Sequence, residues 1–137
     1  MSTFIEKQEA IIEDFDLFDD WMEKYEMIID LGKEIRSISE SQRNDDQLIE
    51  GCQSRVWLRT EYKDSLMYFF ADSDAIITKG IIGLLIKVFD GEKPETIVKE
   101  ELFFIKRIGL QEHLSPTRAN GLLGMVKRMK MEALKHI

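Results

Sequence analysis

Cysteine occurs once in this sequence, and proline and histidine twice each; each scarcity excludes something. A single thiol cannot form an internal disulfide, and nothing else points to secretion, so the cytoplasm is the expected compartment. One cysteine with His113 and His136 is too few for a structural zinc site, and the carboxylates have no matching spacing, so no metal is expected. No apolar run approaches the roughly 18–20 residues that span a bilayer. The acidic, amphipathic N-terminus has no basic region followed by an apolar stretch, so neither a signal peptide nor a membrane partner is indicated. The phosphate and dinucleotide loops G-x-x-x-x-G-K-S/T and G-x-G-x-x-G are also missing. Acids outnumber bases by 26 to 19, and there is no basic tract. Phosphate contact needs clustered Lys and Arg, so nucleic acid is not an expected partner.

At 137 residues and 44% hydrophobic, the chain can bury an ordinary core and is read as a single domain over residues 1–137. Its charge is uneven. Residues 1–50 hold 15 acids and 5 bases, whereas residues 101–137 hold 3 acids and 7 bases. Such an asymmetry orients a molecule in an encounter with a protein partner.

Thr3 and Glu6 have the spacing of a capping box, and Phe4, Ile5, Ile11, Ile12 and Phe15 follow on one helical face. Asp20 opens a second helix whose stripe is Trp21, Met22, Tyr25, Ile28 and Ile29, with Gly32 as its expected stop. Lys33 to Gln47 is almost wholly polar and reads as an ordered surface loop. Val56 to Tyr62 alternates as a strand, Lys63-Asp64-Ser65 makes a hairpin turn, and Leu66 to Ala71 is apolar on both faces. That second strand is therefore expected inside the sheet, with a third short strand around Gln47–Glu50.

Asp72-Ser73-Asp74 supplies a helix cap for residues 75–90, which Gly91 ends. Gly80 and Gly83 inside that helix imply another backbone packed close by, expected to be the sheet. Pro94 suits the first turn of a short helix, and Leu102 to Ile108 suits another, stopped by Gly109. Ser115 and Pro116 start the last helix as N-cap and first helical residue, with Ala119, Leu122, Leu123, Val126, Met129 and Ala133 as its stripe. The class is α+β: a small antiparallel sheet of about three strands flanked by N-terminal and C-terminal helices.

Cys52 sits between Gly51, which allows a sharp turn, and the small polar pair Gln53-Ser54, just before the first strand. By residue type alone a lone cysteine is more often a small buried hydrophobe than a reactive group. The alternative is nucleophilic chemistry, for which the thiolate is the active form. A cation, a helix N-terminus or a donor hydroxyl raises the thiolate fraction, and Ser54, His113 and Arg118 are the available helpers. The plain alternatives are a surface salt bridge for Arg118 and a structural role for His113.

Four blocks decide between these readings. Gly51-Cys52-Gln53-Ser54-x-Val56-Trp57, Asp72-Ser73-Asp74-Ala75, Ile77-x-Lys79-Gly80 and His113-Leu114-Ser115-Pro116-Thr117-Arg118, completed by Gly121-Leu122, closely resemble the signature of the SufE family of sulfur-acceptor proteins. They occur in the family's order and spacing across about residues 21–130. The resemblance implies a fold shared with IscU-type scaffolds. It implies that Cys52 accepts sulfane sulfur as a persulfide from a PLP-dependent, SufS-type cysteine desulfurase and passes it to a SufB-containing scaffold for iron–sulfur cluster assembly. It places Asp74 on the partner-facing side near the cysteine loop, lets Arg118 line the thiol's pocket, and leaves Gln53 and Ser54 to shape the loop. IscU-type scaffolds carry several cluster ligands, which a chain with one cysteine does not match. No cofactor is implied for this chain, because the PLP belongs to the desulfurase. The protein is then an accessory to an enzyme rather than a stand-alone one. The related CsdE-type acceptors share these motifs. Two other functions stay open: a non-covalent adaptor that activates a desulfurase with Cys52 incidental, and a cytosolic redox sensor.

Overall fold

Six helices and a two-stranded sheet make up the described part of the computed structural model, which covers residues 3–49 and 54–137. Helix α1 (Phe4–Asp16) starts as its residues dictate. The Thr3 hydroxyl accepts the Glu6 N–H and the Glu6 carboxylate accepts the Thr3 N–H, both at 3.1 Å. Phe4, Ile11, Ile12 and Phe15 are buried, whereas Ile5 is exposed and lies off the stripe expected of it. Gln8 is fully buried on the same face. Its amide donates to the Glu101 carbonyl and accepts the Phe104 N–H, which ties α1 to the distant helix α5 (Phe104–Arg107).

Helix α2 (Trp21–Glu34) is capped by the Asp20 carboxylate and packs along α3 (Ile76–Phe89). Two expectations are corrected here. Gly32 does not stop α2 but lies inside it, and the glycines of α3 meet α2 rather than the sheet. A methyl group on Gly32 would stand 2.8 Å from the Gly80 nitrogen, and one on Gly83 would stand 3.1 Å from the Leu31 carbonyl oxygen. Glycine is used where two helix backbones touch, which offsets its helix-propensity cost of about 1 kcal/mol. Met22, placed on the α2 stripe by spacing, is exposed.

Residues 35–47 form the expected ordered loop, with short 3₁₀ turns at Glu40–Gln42 and Asp45–Gln47 and Ile38 buried as its anchor. Strands β1 (Val56–Lys63) and β2 (Leu66–Ser73) pair antiparallel, Val56 opposite Ser73 and Lys63 opposite Leu66. The turn residues Asp64 and Ser65 both have positive φ, 53° and 68°, as a two-residue hairpin requires. The third strand is reduced to one bridge, Leu48 to Trp57, and the Glu50 end of that expectation lies outside the described residues.

Strand β2 is not interior to the sheet: among the described residues β1 is the one strand paired with it, and its other edge carries a lone bridge from Met67 to Glu92. Its inward residues Met67, Phe69 and Ala71 are buried against α3. Its outward aromatics are roofed by guanidinium groups instead: Arg59 lies 4.0 Å and Arg36 4.8 Å from the Phe70 ring centre. Helix α4 (Pro94–Lys99) has proline at its first turn, and α6 (Pro116–Leu134) starts with the Ser115 hydroxyl accepting the Arg118 N–H at 3.3 Å. Leu122, Met125, Met129 and Ala133 of α6 enter the core, whereas Leu123 faces solvent. Among the described residues no helix is long and apolar enough to cross a membrane.

Candidate functional site

Cys52, Gly51 and Gln53 lie outside the described residues, but the chain on both sides of them is held in place. On the upstream side the Ile49 N–H donates to the Val56 carbonyl at 2.9 Å, next to the Leu48–Trp57 bridge, and Ile49 is buried. Downstream, Arg55 is fixed from the corner between β2 and α3. Its N–H donates to the Asp74 carboxylate at 3.0 Å. Its carbonyl accepts the Ser73 hydroxyl at 2.7 Å and the Asp74 N–H at 3.2 Å.

This changes the role expected of Asp72-Ser73-Asp74. The N-cap of α3 is Ala75, with no side-chain hydrogen bond to the helix, so the three residues are not its cap. Ser73 and Asp74 are turned across to β1 instead. Asp72 is buried between two cations, Arg43 and Lys79, with the Lys79 ammonium at 3.4 Å. The Arg43 guanidinium also lies 5.0 Å from the Trp57 ring centre, so Trp57 packs under an ion pair next to the cysteine segment.

Ser54, two links along the chain from Cys52, lines a cavity of about 70 Å³ between the start of β1 and helices α3 and α6. The other walls are Thr78 and Ile81 of α3 and Thr117, Arg118, Gly121 and Met125 of α6. Ile81 and Met125 are each 1% exposed and form an apolar floor. Three hydroxyls, one guanidinium and the N-terminal turn of a 19-residue helix surround it. Among the described residues the Arg118 side chain has no hydrogen-bond or ion-pair partner. Its charge and the helix dipole both favour an anion here. A thiolate or a sulfur anion suits a space far smaller than the roughly 300 Å³ at which ordinary ligand pockets begin.

The structure therefore brings Ser54 and Arg118 together, with Asp74 on the flank of the same segment. His113 is held elsewhere. Its ring stacks on Trp21 at 3.9 Å and 15°, its Nδ1 shares a hydrogen bond with the Gly109 carbonyl at 2.8 Å, and its own carbonyl accepts the Tyr25 hydroxyl. These contacts brace α2 against the turn before α6, and His113 is not part of the cavity lining. Thr78, Ile81 and Met125 were missed by sequence reasoning. The spacing of Thr117, Gly121 and Met125, four residues apart on α6, was the available signal, since such residues share a helix face.

A second, open groove of about 760 Å³ runs between residues 45–49 and the later turns of α6. Arg128 crosses it from α6, donating to the carbonyl oxygens of Leu48 (2.9 Å) and Asp46.

Comparison with known proteins agrees with these features. The sequence model of the SufE family, described as an Fe-S metabolism associated domain, matches residues 9–133. The chain is 38% identical over 130 residues to a SufE-like protein of Rhizobium meliloti, covering 91% of this chain and 93% of that one. It is 37% identical over 135 residues to a SufE-like protein of Rhizobium etli, covering 95% and 91%. The solution structure of a hypothetical protein from Thermus thermophilus superposes with a TM-score of 0.77 over 94% of both chains. At 18% identity, that likeness concerns the fold alone.

Proposed function

Because the chain belongs to the SufE family of Fe-S metabolism associated domains, we propose that it is a sulfur carrier that works with a cysteine desulfurase. In this reading Cys52 takes sulfane sulfur from a SufS-type, PLP-dependent desulfurase as a persulfide, stimulates that enzyme, and passes the sulfur to a SufB-type scaffold. Residues 1–137 act as one domain, in the reducing cytoplasm. The observation that carries the reading is the small cavity beside Ser54. A guanidinium unpaired among the described residues stands at its wall, and the chain is fixed on both sides of the cysteine segment.

The chemistry is thiol exchange. The Cys52 thiolate attacks the terminal sulfur of the desulfurase persulfide, a new S–S bond forms on Cys52, and the S–S bond on the desulfurase breaks. The desulfurase cysteine leaves as a thiolate and takes up a proton equivalent to the one Cys52 released, so no external oxidant or reductant is consumed. Arg118 and the N-terminus of α6 favour the anionic sulfur before and after transfer. The hydroxyls of Ser54, Thr78 and Thr117 are donors for it. The apolar floor of Ile81 and Met125 limits water, and shelter of this kind slows oxidation of the thiol and loss of the persulfide. Asp74 fixes the downstream flank that the partner meets.

Intact-mass measurement after mixing the protein with a SufS-type desulfurase and free cysteine tests this, with Cys52→Ser alongside. A reductant-labile gain of sulfur on the parent chain, absent from Cys52→Ser, is the expected result. Desulfurase turnover that rises equally with Cys52→Ser would replace the carrier by a non-covalent adaptor. Arg118→Ala should slow sulfur uptake by roughly tenfold, the factor one charge-assisted hydrogen bond is worth.

A further inference from the structure

Arg128 lies 76 residues from Cys52 in sequence and outside every motif block that marks the family. It lines the open groove from α6, and its guanidinium reaches the opposite wall. There one nitrogen donates to the Leu48 carbonyl at 2.9 Å and the other to the Asp46 carbonyl. Glu132, one turn on, lies 4.0 Å from the Nε and pairs more closely with the Lys135 ammonium, at 2.6 Å.

Within residues 44–49 the described backbone contacts are local turns plus the Ile49-to-Val56 bond and the Leu48–Trp57 bridge beside it. Among the described residues Arg128 is the one side chain that bonds this stretch. Asp45, Asp46, Leu48 and Ile49 line the groove on the side opposite α6. Arg55 is held by Ser73 and Asp74 at the corner between β2 and α3. The upstream flank has the buried Ile49 and the Leu48–Trp57 bridge and, in addition, a side-chain strut from a helix 80 residues away.

From this strut we infer that Arg128 is a positioning residue for sulfur acceptance. By holding the carbonyls of Asp46 and Leu48 it sets where the chain enters the cysteine segment, and so how the Cys52 thiol meets a reagent or a partner. The inference rests on the carrier reading. It adds to that reading a residue that touches neither the thiol's cavity nor the reacting sulfur.

The test uses the full chain. Iodoacetamide uptake at Cys52 is followed by intact mass for the parent, Arg128→Met and Arg128→Lys, first alone; sulfur uptake from a SufS-type desulfurase and cysteine is then followed in parallel. Methionine keeps the stem and removes the donors, while lysine keeps the charge and can still reach a carbonyl. The expected result is alkylation faster by at least roughly tenfold in Arg128→Met, which loses both hydrogen bonds of the guanidinium, and within about twofold of the parent in Arg128→Lys. Sulfur uptake at saturating desulfurase should fall in Arg128→Met, while the half-saturating desulfurase concentration moves less than about twofold. If Arg128→Met does not fold, Arg128→Leu, which also lacks donors, carries the same comparison. Alkylation unchanged in the donor-deleted variant, with sulfur uptake by the parent intact, overturns the role of Arg128 alone, as does a lower unfolding midpoint with both rates unchanged. A parent chain that takes up no sulfur on Cys52 overturns the carrier reading, and this inference with it.

Discussion

The Asp74 carboxylate accepts the backbone N–H of Arg55 at 3.0 Å, so a residue at the start of the α3 corner fixes the chain three residues after the cysteine. Asp74→Ala removes the acceptor and should lower stability by about 1 kcal/mol, since the bond lies at the surface. Asp74→Asn, which keeps an acceptor, should lose less than half of that. Urea unfolding measures both, and amide exchange at Arg55 should rise only in Asp74→Ala.

Asp72 has a stronger hold on the structure. It is 6% exposed and is the shared counter-charge of Arg43 and Lys79. Asp72→Ala leaves two cations side by side without a counter-charge. The expected cost is about 3 kcal/mol, the low end for breaking a buried pair, because both cations keep some contact with water. The Arg43 guanidinium would also shift over Trp57, so the tryptophan fluorescence of the native protein should change.

Two glycine substitutions separate close approach from backbone conformation. Gly80→Ala drives a methyl into the Ile28 carbonyl, which is backbone and cannot swing aside. The expected loss is about 3 kcal/mol, since α2 and α3 must move apart. Gly91→Ala meets nothing within 4 Å but must hold φ near +76°, and should cost about 1 kcal/mol. Thermal midpoints that fall equally would contradict this division.

The Glu6 carboxyl is held below its usual value of 4.5, first by the Thr3 backbone N–H and then by the Thr3 hydroxyl. A depressed carboxyl contributes stability that is present above the unfolded-state value and is lost as pH falls through the folded-state one. Titration followed by NMR should find Glu6 below 4.5, and the Thr3→Ala protein should move it back toward that value. A Glu6 that titrates at 4.5 in the parent would remove the capping box as the cause.

Local signals in the sequence carry far. The Thr3–Glu6 box, the Ser115-Pro116 start of α6 and the turn at residues 63–65 are legible because each depends on residues within one turn of one another. The departures share a cause in non-local partners. Asp72-Ser73-Asp74 has the composition of a helix cap, but β1 lies close enough to claim Ser73 and Asp74, and Arg43 and Lys79 claim Asp72. Gly32 has the look of a stop until Gly80 arrives opposite it. His113, by its type a possible helper of a thiolate, is taken up by Trp21. Apolar residues near Leu48 suggest a third strand, yet Arg128 draws the carbonyls of Asp46 and Leu48 toward α6, and a single bridge to β1 remains. Of the cavity, Ser54 and Arg118 are legible from the motif blocks. Its floor is not, because Ile81 and Met125 look like any other core residues of their helices.

The outer edge of β2 has a consequence for the protein's behaviour in concentrated solution. Its outward N–H groups are already taken: Met67 by the Glu92 carbonyl, Phe69 by the Asp90 carboxylate and Ala71 by the Arg36 carbonyl. An uncovered strand edge is a template on which other chains can pair and grow into fibrils. Here the donors on that side are spent within the chain, so the two-stranded sheet of the described residues keeps an apolar strand without offering it to a neighbour. Crowded molecules meeting along β2 find no ladder to extend, and the chain can accumulate without aggregating along that edge.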